Sequence, residues 1–402
     1  MSIFSIFKNK KEEIALLIDI GNGSIQAGII SILPNTPPEF LSVAKSPYTI
    51  VDKPESKKLS QDMGLVLDRT LKDLMKQSSR THLWKRKTIS GVLVTFSSPW
   101  FVLKTKEAHV SEGEQFTVTS SLINDLVKKE EEAFKKELLQ DFSKVPEDFF
   151  DIIEKNAIYV KVNGYHVDDI LGQKTKVIDV FMCMSAIPKK IKEKVEELVL
   201  KHTHTSEEIS MHTFPLVLFS AIRDNFADES DFMIMDITSE VTDVVLVQRD
   251  YVVGCTSFPI GRNSVIRRIA KSFGSTLEIA ESTFHMYLSK KAEDRVLDAV
   301  DKLLIDIESE WSVYFENVLL ELSPSMVLPK KVYVTVDTDV ATIFNDFLKT
   351  SKTDSTALFR RNALVVHVNT ELLAPFYKSN PNLHVDEFTA IPAIFYNKII
   401  QN

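Results

Sequence analysis

Cysteine is nearly missing from this chain: Cys183 and Cys255 are its only two in 402 residues, and both stand inside apolar runs. So sparse a pair gives neither a disulfide framework nor a metal-ligand spacing. Each thiol reads as a small buried hydrophobe in a reducing compartment. Long apolar runs are missing too. The longest, such as Phe214 to Ile222, falls well short of the ~20 residues that a membrane-spanning helix needs, so no transmembrane helix is expected. There is no basic surplus. A formal charge of -8 argues against a protein whose main task is neutralising nucleic-acid phosphates. The short basic clusters Lys85-Arg-Lys87 and Lys189 to Lys192 read as solvated surface. His202, His204 and His212 lie close together but match no zinc spacing, and Ser97-Ser98-Pro99 lacks the glycine frame of a nucleophile elbow. No catalytic residue can be assigned. At the N-terminus, Ile3, Phe4, Ile6 and Phe7 precede Lys8, Lys10 and Lys11. That is the reverse of a signal peptide's order, so secretion is not expected. The segment suits either a membrane interface, with the lysines on anionic lipid, or a frayed tail.

What is present is a globular composition, 44% apolar and 26% charged, in a chain long enough for two or more compact units. Ile14 to Ile32 reads as two strands around Gly21-Asn-Gly23, a hairpin with a tight turn. Gln61 to Lys76 has helical spacing, Ile89 to Phe96 reads as a strand, and Thr119 to Lys136 as a helix capped by Thr119 or Ser120. Strands are expected at Ala157 to Val162 and Lys176 to Met184, and a helix at Lys189 to Lys201 after Pro188. A second hairpin pattern runs Phe232 to Asp236 and Thr242 to Val247, then turns at Arg249-Asp250 into Tyr251 to Phe258. Helices are expected after Gly261, at Leu277 to Tyr287, Asp294 to Leu322 and Phe388 to Ile400, with a strand at Val332 to Val336 and an amphipathic stretch at Val340 to Leu348. The strand-Asp-turn-strand units near Asp19 and Asp236 look like a long-range duplication.

Two such hairpins facing each other can hold a triphosphate, with turn N-H groups on phosphate oxygens and carboxylates on Mg²⁺ or its waters. One copy is ordinary turn chemistry; two copies half a chain apart are more specific. The residues resemble the actin-like ATPases, and within them the FtsA/PilM type. Ile18-Asp-Ile-Gly-Asn-Gly-Ser24 resembles the first phosphate motif and Met235-Asp-Ile-Thr-Ser-Glu-Val-Thr-Asp243 the second. Val167-Asp-Asp-Ile-Leu-Gly172, Phe258-Pro-Ile-Gly261, Thr276-Leu-Glu-Ile-Ala-Glu281 and Phe388-Thr-Ala-Ile-Pro-Ala-Ile-Phe395 follow the family order. The resemblance implies that Asp19 and Asp236 face Mg²⁺ through water. It implies further that Gly21, Asn22, Gly23 and Ser24, with Thr238, Ser239, Glu240 and Thr242, cradle the phosphates of ATP. Asp243 would orient backbone or water, Gly261 would open the following helix, and Glu281 would approach the ribose or base. This sequence departs from the pattern at Thr238 and Ser239, where glycines are usual, at Arg262 beside Gly261, at Phe284, and at the late turn Val336-Asp-Thr-Asp-Val340, which has no glycine. Bulkier turns and two added carboxylates oppose a polyphosphate.

The expected fold is therefore α/β, an actin-like (ribonuclease H-like) pair of lobes with an inserted α+β subdomain resembling FtsA subdomain 1C. The boundaries are set at 13-88 and 188-230 for lobe I, 89-187 for the insert, 231-375 for lobe II and 376-402 for a closing helix. The resemblance implies a cytoplasmic scaffold or adaptor at the inner membrane, at most a weak ATPase. It would bind a short cytoplasmic segment of an inner-membrane pilus protein, as a PilM-type protein of a type IV pilus or secretion platform. The alternatives are an FtsA-like division protein that binds the FtsZ tail and self-associates, and an active ATPase or sugar-kinase relative. The end of the sequence directly after the closing helix favours the first.

Overall fold

The structure, a computed structural model, describes residues 12-53, 56-79, 88-163, 165-167, 170-205, 207-324, 327-349 and 362-401. The expectations for Met1 to Lys11 and for Lys85 to Lys87 lie outside the described residues.

The first sheet starts as an antiparallel meander, β1 (Glu13–Ile20), β2 (Ser24–Ile32) and β3 (Glu39–Pro47). β4 (Gly91–Phe96) joins β1 in parallel, and β9 (Ile209–Thr213) joins β4 in parallel. The short β15 (Lys378–Ser379) adds to β3. The second sheet repeats this plan. β10 (Phe232–Ile237), β11 (Thr242–Gln248) and β12 (Tyr251–Phe258) form the meander, β13 (Lys331–Val336) runs parallel to β10, and β14 (Leu364–His367) parallel to β13. The duplication read from two Asp-bearing hairpins is thus a duplication of sheet topology. Arg249 and Asp250, both at positive φ (53° and 63°), make the tight β11–β12 turn.

The helices sort the two sheets into five layers. α1 (Ser56–Ser78) and α3 (Lys189–Thr203) lay Met63, Leu67, Leu71, Val195 and Leu198 on the face of the first sheet that carries Ile14, Leu16, Ile18 and Ile20. The opposite face, with Ala15, Leu17 and Leu93, meets Ala393 and Tyr396 of α10 (Glu387–Gln401). α4 (Phe214–Asn225) and α10 also cover Phe232, Ile234 and Val245 of the second sheet. That sheet's far face, Met233, Met235 and Ile237, is covered by α5 (Arg262–Phe273), α6 (Leu277–Leu288), α7 (Asp294–Leu322) and α8 (Ala341–Lys349). Both sheets are buried on two sides, which is why β1 and β10 read as continuous apolar runs rather than alternating ones. The apolar run from Phe214 forms α4, a helix between the two sheets; no helix among the described residues is long and apolar enough to cross a membrane. A turn of helix, α9 (Thr370–Leu373), precedes α10.

The third sheet is antiparallel, in the order β5 (Val102–Thr117), β8 (Lys174–Pro188), β6 (Phe150–Val162), β7 (Tyr165–His166). α2 (Ser120–Asp141) packs on it, capped by Thr119, whose Oγ1 accepts the N-H of Leu122 at 3.2 Å. Because β4 belongs to the first sheet, between β1 and β9, the insert's own strands begin at Val102 rather than at residue 89. The insert touches lobe II at β12, where Tyr159 stacks on Tyr251 with ring centroids 4.5 Å apart and Thr105 Oγ1 donates to the Val253 carbonyl at 2.8 Å.

Candidate functional site

The two aspartates singled out by the sequence occupy equivalent places. Asp19 ends β1 beside Thr95 of β4, and Thr95 Oγ1 donates to its Oδ1 at 2.7 Å. Asp236 ends β10 beside Thr335 of β13, and Thr335 Oγ1 donates to its Oδ1 at 2.6 Å. Each hydroxyl holds one carboxylate oxygen at the strand ends, where the two lobes meet. There the turn Gly21 to Gly23 faces the turn Thr238 to Val241, and both line a cavity of only ≈30 Å³ together with Asp19, Ser24, Ser97, Asp337 and Phe388.

Asn22 closes that space. Its Nδ2 donates to the Ser98 carbonyl at 2.6 Å and to Thr238 Oγ1 at 2.7 Å, and its Oδ1 accepts the N-H of Glu240 at 3.1 Å. Gly23 lies so near Ser239 that an added Cβ would stand 1.8 Å from Ser239 Oγ. Gly261 is equally confined, with a Cβ position 2.2 Å from the Thr238 carbonyl oxygen. The first N-H groups of α5 turn onto the second motif's own carbonyls, Arg262 to Thr238 O at 3.2 Å and Asn263 to Ser239 O at 2.7 Å. Thr242 Oγ1 donates to Ile260 O at 2.7 Å. Glu240 accepts from Asn263 Nδ2 at 2.8 Å and is paired with Arg267. Glu281 holds Arg262, which also bonds Asp339 at 2.9 Å.

Burial sets the charge of this region. It pushes Asp19 up to about 7 against the Thr95 hydrogen bond, and Asp243 up to about 7 against that of Ser98. Asp236 is raised too, by burial and by Asp243, its cross-strand neighbour, and Asp337 is raised by burial. One oxygen each of Asp236 and Asp243 has no hydrogen-bond partner. Burial beside a second carboxylate disfavours the ionised form of Asp236.

These residues do not fit Mg²⁺ and ATP. The cavity between the turns, ≈30 Å³, has room for water but not for a triphosphate. The Glu240 amide and the first amides of α5 are taken by protein oxygens, and the late turn adds acids instead of a glycine frame. The two turns stand between β1 and β2 and between β10 and β11, with Thr238 and Ser239 in the second and Arg262 opening α5. The sequence pattern gave no sign of the roles of Ser98, whose Oγ donates to Asp243 at 2.6 Å, or of Arg267, which donates to the Val51 carbonyl at 3.2 Å, because both act across the lobes. The three histidines are dispersed in role: His202 pairs with Asp68 at 2.9 Å, His212 with Glu154 at 2.9 Å, and His204 takes the left-handed cap of α3.

A second concavity is far larger. A groove of ≈1090 Å³ runs between α1, α3 and the loop after β4, with Leu59, Met63, Leu65, Trp100, Ile191 and Leu198 among its walls. Its rim carries Lys190, Lys194 and Lys201 against Asp68 and Glu197.

No family model and no curated protein matches the sequence. Among solved structures, a chain of the PilM-PilN type IV pilus biogenesis complex matches with a TM-score of 0.58 and 16% identity, over 96% of this chain and 98% of that one. A Bacteroides thetaiotaomicron protein with an actin-like ATPase fold and unknown function gives a TM-score of 0.43 at 12% identity, over 97% and 99%. Ethanolamine utilization protein EutJ from Carboxydothermus hydrogenoformans gives 0.46 at 11%, over 96% and 90%. The repeated sheet plan, the paired strand-end aspartates and the first of these likenesses give the chain its class: an actin-like ATPase fold of two ribonuclease H-like lobes, with an antiparallel α+β unit inserted in the first.

Proposed function

We propose that this chain is a scaffold that holds a short apolar segment of a partner protein in the groove between α1, α3 and the Pro99-Trp100 loop. Its working place would be a pilus or secretion platform at the inner membrane. The observation that carries this reading is the groove itself, ≈1090 Å³ with apolar walls and a charged rim. That is room for several side chains of an extended or helical segment, with rim charges to fix its direction. Leu65 is 71% exposed on the groove wall, an apolar group left to meet a partner. Sharing a fold with a chain of the PilM-PilN complex supports a partner of the same kind, a segment of an inner-membrane pilus protein. Catalysis on ATP is not part of this reading, because the interlobe space does not admit the cofactor.

The test uses fluorescent peptides covering the cytoplasmic segments of inner-membrane proteins encoded beside this chain, titrated with the full protein. One peptide should bind in the range of about 1–100 μM, and Leu65→Glu should weaken it at least ~10-fold without changing the far-UV spectrum. If no peptide binds, or if Leu65→Glu binds equally well, the groove is not the docking site.

A further inference from the structure

The contacts that fill the interlobe space form one connected set, and most of its members reach across from one lobe to the other. Asn22 of lobe I holds Thr238 Oγ1 and the Glu240 amide of lobe II, at 2.7 and 3.1 Å. Ser98 of lobe I holds Asp243 of lobe II at 2.6 Å. Arg267 of α5 pairs with Glu240 and reaches back to the Val51 carbonyl of lobe I at 3.2 Å. All three Asn22 contacts are made by a side chain only 3% exposed, so its carboxamide is satisfied inside the protein. The close fit of Gly23 against Ser239 adds shape to the polar contacts.

We propose that these residues are a latch that joins the lobes in place of a bound nucleotide, and that the latch also fixes one wall of the groove. The second half follows from the loop after β4. Ser98 faces the latch, accepting from Asn22 and donating to Asp243, while Pro99 and Trp100 line the groove. Trp100 Nε1 in turn donates to the Gly21 carbonyl at 2.9 Å, so one run of hydrogen bonds joins the first turn, the latch and the groove wall. Closure therefore needs no cofactor. The link to partner binding rests on the groove reading given above; the latch does not, and its test uses no partner.

The experiment compares the full chain with Asn22→Ala, Thr238→Val and their double variant by thermal melting and amide hydrogen exchange, each with and without 5 mM Mg²⁺ and ATP. The wild type should melt within ~1 °C of the same temperature in both conditions, since a ligand that binds only the folded state raises it by mass action. Asn22→Ala should lower melting by about 2–6 °C. It should also speed exchange at least ~10-fold at 20-24, 97-101 and 238-242 together, while α2 stays protected. The double variant should lose less than the sum of the singles, because the Asn22–Thr238 bond is lost in both. A rise of ~5 °C or more with nucleotide in the wild type, additive losses in the double variant, or faster exchange confined to 20-24 overturns the latch. Thr238→Val, which removes the Asn22 contact together with the hydroxyl's own 2.7 Å bond to the Val241 carbonyl, carries the test by itself if Asn22→Ala fails to fold.

Discussion

Glu387, at the start of α10, shows how single buried groups report on this fold. Burial, reinforced by the neighbouring Asp386, pushes its carboxyl from 4.5 up to about 7. The folded protein then keeps a proton that the unfolded chain releases. The stability from that proton is complete below about pH 4.5 and lost as the pH rises through about 7. Glu387→Gln should therefore leave melting nearly unchanged at pH 5 and stabilise the protein at pH 8 by about 1–3 kcal/mol. An equal effect at both pH values would contradict this. Gly91 reports on packing instead: a Cβ there would lie 1.8 Å from the Tyr396 hydroxyl. Gly91→Ala should destabilise by about 1–3 kcal/mol, and adding Tyr396→Phe should recover part of the loss in melting experiments. At this scale the sequence was legible where backbone chemistry repeats, as at Asp19 and Asp236, each followed by a turn. It was silent on the roles of Ser98 and Arg267, whose partners Asp243 and Val51 lie far away in the chain.

Among the elements, those with a strong local pattern were legible: α1, α2, α3, α7 and both hairpins match their apolar periodicity, and α2 its Thr119 cap. β5 was not, because a strand reading Lys104-Thr-Lys-Glu-Ala-His-Val-Ser-Glu-Gly-Glu-Gln115 carries little apolar alternation and is held mainly by its ladder to β8. β9 was missed because its five residues are placed by β4 and by a buried acid rather than by their own preference. That acid is Glu154 of β6, 4% exposed, which accepts from His212 Nδ1, Ser185 Oγ, and the Thr213 amide and hydroxyl. It pins the insert to lobe I. Glu154→Ala would strand these donors, at a cost of about 2–4 kcal/mol. Amide exchange should quicken in β6 and β9 while α5 to α8 keep their protection; unchanged β9 exchange would show that the pin is dispensable.

Across the whole molecule, two of the cavities lined by the described residues differ in kind. The interlobe space is filled by Asn22, Ser239 and their partners, whereas the groove beside α1 and α3 is wide, apolar and edged with charge. The architecture was legible because duplication and two-sided burial both leave traces in sequence. The closure was only half legible: the missing glycines signalled a crowded site, but no sequence pattern announces that two turns will bind each other. The claim that this nucleotide-binder fold works as a scaffold with a closed interlobe space is tested most directly by calorimetric titration of the full chain with ATP in excess Mg²⁺. No binding heat up to millimolar nucleotide is the expected result. A saturable isotherm with a Kd of ~100 μM or tighter, abolished by Asp19→Ala, would contradict it.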